Sequence, residues 1–309
     1  MLFGAGGMAV AYSRVLEAQK VSYEVFGRSS KSALEYTEET GHVARTVPFD
    51  KFYKGKLLPQ KAIVAVSTDQ LAALTQRLLE SGVSDILVEK PGGISIDEVR
   101  KLCALAERYS AKVVIGFNRR FYASTLRAMQ IIEEDGGATS CTFDFTEWLN
   151  AVHDNYADAV YKTWMLSNPI HVLDHFINFC GLPKSINSYA GGDDRWRDSD
   201  TIFVGAGISE SNILFSYHAN WGSAGRWHLE ILTKKRKLIF CPMEKLAEIR
   251  KQTVVRLEVD IDDQLDLDFK PGIYLQTKAF LNGDYSNFCD IEQQLKNFDL
   301  YYKIANYRE

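Results

Sequence analysis

No stretch of this sequence approaches the roughly 18 consecutive apolar residues that a bilayer crossing requires, so no membrane partner is expected. Cysteine is sparse and lacks a pattern. Cys103, Cys141, Cys180, Cys241 and Cys289 are odd in number, widely spaced and contain no C-x-x-C pair. That excludes a disulfide framework and a zinc site, and leaves reduced, mostly buried thiols in a cytosol as the expected state. An excess of positive charge is missing too. Lys and Arg number 36 against 40 Asp and Glu, for a net charge of -4, which argues against a nucleic-acid partner. The densest basic run, Lys234-Lys235-Arg236-Lys237, reads as a solvated turn between two strands. Gly4, Gly6 and Gly7 interrupt the N-terminus at once, so no secretory leader is expected and a cytoplasmic location is. There is no internal repeat and no low-complexity segment. What remains is ordinary globular composition, 46% hydrophobic and 25% charged, over 309 residues, a length that suits about two domains.

The first half alternates short β-rich runs at 23–26, 63–66, 86–88 and 113–117 with helical stretches at 8–18, 69–80 and 96–109. Such alternation predicts βαβ units and a doubly wound parallel sheet, an α/β domain over 1–118. The second half changes character. Helices are predicted at 122–134, 169–179, 273–281 and 290–305. Between them, β-rich runs at 140–147, 185–190, 201–206, 212–219, 227–233, 237–241 and 254–259 follow one another with few helices. This predicts an α+β domain over 119–309 with a large, mostly antiparallel open sheet. Gly181 and Pro183 are placed to end the helix that Pro169 opens.

Gly4-Ala5-Gly6-Gly7-Met8-Ala9 fits G-x-G-x-x-A where the first strand meets the first helix. The first glycine permits a tight turn, the second lets the backbone approach a pyrophosphate, and Ala9 lets the helix pack close to the strand. The helix N-terminus then offers free N–H groups to the anion. A plain glycine turn is the alternative; the place of the motif at the head of a βαβ unit favours a dinucleotide. Only three residues precede Gly4, short for a central strand. Either the sheet tolerates a stub or the natural start lies upstream. About twenty residues on, where an acidic side chain would bind the ribose 2′-hydroxyl of NAD, the sequence reads Phe26-Gly27-Arg28-Ser29-Ser30-Lys31. Two cations and two hydroxyls suit a 2′-phosphate, so NADP is the expected cofactor, with NAD as the alternative. Ser67 and Thr68, after the third β run, complete the expected cofactor contacts.

Val88-Glu89-Lys90-Pro91, followed by Gly92-Gly93, closes a β run. Together with the glycine fingerprint, with Gly116-Phe117-Asn118-Arg119-Arg120-Phe121, with His171-Val172-Leu173-Asp174 and with the terminal helix, it resembles the Gfo/Idh/MocA family of oxidoreductases over essentially the whole chain. The resemblance implies a Rossmann domain followed by a domain whose open sheet mediates homodimers or homotetramers. It also implies sugars, cyclitols or nucleotide-linked sugars as substrates. Glu89, Lys90 and Pro91 then belong to the cofactor site.

Lys90 ends a strand at the side where α/β sheets place ligands, and its ammonium can stabilise a developing alkoxide. His171, Asp174 and His175 share a helix face by their i, i+3, i+4 spacing. His171 is the candidate general base, Asp174 a candidate contact to a substrate hydroxyl, and His175 reads as structural. The H-x-x-D-H string also suggests a metal, but no third ligand is near and the resemblance implies none, so no metal is expected. Two departures from the family stand out. Ser167 occupies the position of a carboxylate four residues before the histidine, with Pro169 in place of glycine, so another acid such as Asp154 or Asp174 must substitute or the chemistry changes. The loop at Ser67-Thr68-Asp69-Gln70-Leu71 lacks the proline and histidine of many relatives.

Between Trp148 and Trp164, the residues His153, Asp154, Tyr156 and Tyr161 form either a substrate wall, with Trp164, or a buried anchoring loop. Arg119 and Arg120, or Arg195-Trp196-Arg197, could hold a substrate phosphate or carboxylate, or form surface salt bridges. The residues together predict an NADP-dependent oxidoreductase of a sugar-like alcohol or its ketone, with Lys90, Arg119, Trp164, Ser167, His171 and Asp174 toward the substrate. Two other functions fit the same residues: transient oxidation that permits elimination or glycoside cleavage, and a non-catalytic nucleotide-binding regulator.

Overall fold

The computed structural model describes residues 1–152, 154–192 and 195–307. The chain divides into two compact units, 1–118 with 265–295, and 119–264 with 296–309. The first therefore includes a segment that the sequence pattern groups with the second half. No disulfide joins the five cysteines. No described helix is long and apolar enough to cross a membrane.

Among its described residues the first unit holds a seven-stranded sheet. Its order is Cys289–Asp290, Lys112–Gly116, Asp85–Glu89, Lys61–Val64, Leu2–Phe3, Val25–Phe26, Ala44–Arg45. All neighbours pair in parallel except Cys289–Asp290, which runs antiparallel to Lys112–Gly116. The three longest strands carry continuous apolar runs because helices cover both faces. Ile63, Val64, Ile86, Leu87, Val88, Val113, Val114 and Ile115 are each at most 3% exposed. Burying such a side chain contributes about 1.5–3 kcal/mol, so these runs anchor the unit.

The stub that precedes Gly4 is indeed a two-residue strand inside the sheet, next to the central Lys61–Val64. It holds because both neighbours bond to it: Gly4 donates to Phe26, Ala65 donates to Phe3, and the N-terminal ammonium donates to the Lys61 carbonyl. Chain direction through the sheet reverses at this strand, since its neighbours are the second and fourth strands in sequence. Ligands bind in α/β sheets at such a switch point. Local signals set the helix starts. Ser29 caps Ser30–Thr40 by accepting from Ser32. Ser95 and Glu98 form a reciprocal capping box at the head of Ile96–Arg108, with Glu98 accepting from Ile94.

The second unit holds, among its described residues, an eight-stranded sheet. Its order is Arg256–Glu258, Ala247–Arg250, Arg236–Phe240, His228–Leu232, Ser140–Asp144, Leu214–Asn220, Ile202–Ser209, Pro183–Gly191. Every pairing is antiparallel except that of Ser140–Asp144 with Leu214–Asn220. One face packs on the helix Ile170–Cys180: Phe143 and Phe215 lie 4.9 and 4.5 Å from the ring of Phe176. The helix is apolar nearly all round and correspondingly buried. Gly205 and Gly207 let Tyr217 and Phe215 of the next strand lie flat against the backbone, where a Cβ would overlap their rings. The opposite face of the sheet leaves Tyr189, Val204 and Leu214 exposed.

Candidate functional site

In the first unit a cleft of about 730 Å³ opens at the switch point, within the range of small-molecule sites. Gly4, Gly6, Gly7 and Met8 line it. Gly4 sits at φ +120, and a Cβ there would overlap the Ala65 carbonyl oxygen, so only glycine fits. Gly6 caps the helix Gly7–Ala18 with no side chain in the way, and neither Gly6 nor Gly7 has an atom within 4 Å of where a Cβ would stand. Open space above bare helix amides is what a pyrophosphate needs. The residues present therefore fit a dinucleotide.

Arg28, Ser29 and Ser67 also line the cleft. Ala9 lies beneath it, fully buried against the sheet. Ser30 and Lys31 are outside the lining: they open the helix Ser30–Thr40, and Lys31 points to solvent 3.9 Å from Glu35. Thr68 starts a short turn, Thr68–Gln70, and is likewise outside. The sequence reading missed Ser32, Thr46, Gln70 and Arg77, all on the wall. Arg77 shares a helix face with Ala73, an i, i+4 spacing that a search for a cleft-facing stripe would have found. Thr46 follows the two-residue strand Ala44–Arg45, too short to leave a pattern.

Glu89, Lys90 and Pro91 end the strand Asp85–Glu89 outside this cleft lining. The Glu89 carboxylate is buried and accepts from the Tyr12 hydroxyl at 2.8 Å, which in turn lies 3.1 Å from the Gln276 amide oxygen. Burial raises the Glu89 pKa, against the opposing pull of Lys90. Gln294 donates to the Pro91 carbonyl at 2.9 Å. Gly92 takes φ +88 with the Ile115 side chain 2.9 Å from where a Cβ would be. The turn that carries Lys90 is thus tied down on both sides.

In the second unit, His171, Asp174 and His175 do lie on Ile170–Cys180, and all three are buried. Arg120 donates to Asp174 through both Nε and Nη2, at 2.9 and 2.7 Å. Asp174 is thereby tied into the fold. Its pKa is raised by burial, with the Arg120 charge opposing. His175 bonds to Thr125 at 2.7 Å through Nε2, and burial together with the charges of Arg119 and Arg120 lowers its pKa to about 3. Unfolded histidine protonates below pH 6.5, whereas folded His175 stays neutral down to about 3. The unfolded state then binds more protons, so stability falls as pH drops through that window, by up to about 1.4 kcal/mol per unit. His175→Gln is expected to flatten this part of the curve. Urea midpoints at successive pH values for both proteins check it, and parallel curves would refute it.

Trp164 and Ser167 are buried beside the start of that helix. Trp164 packs with Tyr156, Tyr161 and Trp196 at 5.4–6.2 Å between rings, and Arg197 lies over Tyr161 at 3.6 Å. These aromatics hold one another. His153 lies outside the described residues. Asp154 is exposed and paired with Arg197, and Asp174 belongs to Arg120. The acid that meets the turn before the histidine helix is instead Glu147, which the sequence reading missed. Its oxygens accept from Asn168 at 3.0 and 3.1 Å and from the Trp227 indole at 2.7 Å. Burial raises its pKa, opposed first by the Asn168 hydrogen bond. Trp227 stands 6.2 Å from His171, ring to ring, and Arg119 lies over the same indole at 4.6 Å. Among the described residues no three His, Cys, Asp or Glu side chains converge as metal ligands.

No curated protein matches the chain in sequence. Solved structures share its fold over nearly the whole length. UDP-N-acetylglucosamine 3-dehydrogenase GnnA from Acidithiobacillus ferrooxidans is 15% identical with a TM-score of 0.76, covering 99% of this chain and 95% of that one. An oxidoreductase from Agrobacterium radiobacter, in complex with NAD+, L-tartaric acid and magnesium, is 14% identical with a TM-score of 0.77, at 99% and 96% coverage. A dehydrogenase (MviM) from Clostridium difficile is 16% identical with a TM-score of 0.78, at 99% and 98%. Residues 1–117 match the model of the Gfo/Idh/MocA oxidoreductase family, described as an NAD-binding Rossmann fold. That match makes residues 1–117 a Gfo/Idh/MocA-type NAD-binding Rossmann domain.

Proposed function

We propose that the chain is an NADP-dependent oxidoreductase that moves a hydride to or from one carbon of a sugar, cyclitol or nucleotide-sugar-like substrate. The observation that carries this reading is the cleft in which bare glycine amides and the side chains of Arg28 and Ser29 share one wall, with no carboxylate after the second strand. The shared fold with a UDP-N-acetylglucosamine dehydrogenase supports the sugar part. Gly4, Gly6, Gly7 and Met8 would hold the pyrophosphate, and Arg28 and Ser29 the 2′-phosphate. The bound cofactor supplies hydride exchange at its nicotinamide ring.

The remaining work falls to side chains. In the first unit the Lys90 ammonium stabilises negative charge on the substrate oxygen. In the second, His171 accepts the proton of the substrate hydroxyl during oxidation and returns it during reduction. The exposed sheet face of the second unit serves self-association.

Absorbance of the reduced nicotinamide, followed against a panel of sugars and keto-sugars, tests the reaction. A steady change is expected, and turnover without any change would favour the internal-redox alternative. Replacing Arg28 with alanine is expected to weaken NADPH binding about 10–100-fold and leave NADH binding nearly unchanged, since only the 2′-phosphate loses a charged donor. Fluorescence titration with the two dinucleotides measures this. Equal losses for both would refute the NADP assignment.

A further inference from the structure

Among the described residues of the second unit, the guanidinium of Arg119 forms no ion pair and its Nε has no hydrogen-bond partner. The guanidinium lies 4.6 Å over Trp227 and 5.7 Å from the ring of Tyr122. Its Nε is sealed from solvent. Burial lowers its pKa; Glu244 and Glu147 act on it through space and form no ion pair with it. Two of the nearby carboxylates are committed elsewhere. Asp174 binds Arg120, and Glu147 accepts from Trp227 and Asn168 and faces Arg226 at 3.6 Å.

A second guanidinium shares the indole. Arg226 lies 4.5 Å over Trp227 and 5.0 Å over Trp148, with its side chain 42% exposed. Arg226 is close enough for its charge to disfavour that of Arg119. Gathering two guanidiniums on one ring, one of them half-buried with its Nε sealed and unpartnered, is unfavourable for the protein alone. An oxyanion reverses the sign, because the planar fork of arginine matches carboxylate and phosphate geometry and the stacked ring holds it in place. A neutral hydroxyl would satisfy a donor but leave the charge unanswered.

We propose that Arg119 and Arg226, held on Trp227, form a subsite for an anionic group on the substrate, a carboxylate or a phosphate. The substrate is therefore an acidic or phosphorylated sugar. This rests on the sugar oxidoreductase reading above, and deepens it by naming the charge of what is bound. His171 meets the other side of the argument: its ring stands 6.2 Å from the same indole, so an anion bound here lies within one sugar's reach of the candidate base.

Thermal melts read the subsite without turnover. Glucose, glucuronate and glucose 6-phosphate are compared at equal concentration, with and without saturating NADP+. Glucuronate, glucose 6-phosphate or both are expected to raise the midpoint by about 4 °C, glucose by none, and the rise is expected to shrink as salt increases. The acid that acts identifies the group as carboxylate or phosphate. Arg119→Gln is expected to abolish the rise. Arg226→Gln, at a half-exposed position, is expected to reduce it and keeps the test open should Arg119→Gln fail to fold. An equal rise with glucose, no rise with either acid, or a rise that survives both substitutions would overturn the proposal. NADPH binding and nicotinamide absorbance are read separately: dinucleotide binding intact with no acid response sinks the subsite alone, whereas an acid response without dinucleotide binding sinks the cofactor reading alone.

Discussion

Alanine in place of Lys90 is expected to lower kcat about 10²–10³-fold and to leave dinucleotide affinity and stability nearly unchanged. Oxidation of an alcohol builds negative charge on its oxygen, and a preorganised cation in a dry site stabilises that charge without reorganising at the moment of reaction. The turn that carries Lys90 is held by other residues: Tyr12 on Glu89, Gln294 on the Pro91 carbonyl, and Ile115 beside Gly92. Truncating the lysine therefore removes a charge and leaves its support standing. Lys90→Met, which keeps the bulk, is expected to behave like alanine, and Lys90→Arg to recover part of the rate. Steady-state kinetics, fluorescence titration and thermal midpoints together check this. An unchanged kcat, or a loss matched by a drop in stability, would remove Lys90 from the chemistry.

Removing the carboxylate of Asp174 is expected to cost about 3–5 kcal/mol of stability, because it takes the bidentate carboxylate from a buried guanidinium. The two side chains are 1% and 8% exposed, and Arg120 donates to both oxygens. Most of that cost is the buried charge left without its counter-ion, not the lost attraction. The double replacement Asp174→Leu with Arg120→Met is accordingly expected to recover most of the stability, since it removes both buried charges together and fills their volume with apolar groups. Urea unfolding of the three variants measures the cycle. If Asp174→Ala keeps full stability and raises only KM, the carboxylate serves the substrate and its pairing with Arg120 is incidental.

The same residue illustrates what could and could not be read in advance. An i, i+3 spacing from His171 places Asp174 on the helix face of the histidine, and the helix confirms that face. The spacing says nothing about what packs against it. Arg120, 54 residues earlier, is brought there by tertiary folding alone. Glu147 and Trp227 were missed for a similar reason. Their contact follows from the register of two strands, in which Asp144 pairs with His228, so the residues just past one strand meet those just before the other. Nothing within 80 positions of chain hints at that partnership.

Local chemistry was legible where few residues determine it. Apolar runs at Lys61–Val64, Asp85–Glu89 and Lys112–Gly116 declare a sheet buried on both faces, because helices on either side leave no solvated face to alternate toward. Gly4 declares a turn that only glycine can make, since the Ala65 carbonyl leaves no room for a Cβ. Strands of two residues, Leu2–Phe3, Val25–Phe26, Ala44–Arg45 and Cys289–Asp290, carry no period and exist only through the neighbours that bond to them. The sequence by itself determined the class of fold and the phosphate turn, which depend on backbone sterics and the side-chain period. The tertiary structure alone decided which charges are paired and which are left for a ligand, because burial and pairing depend on residues far apart in the chain.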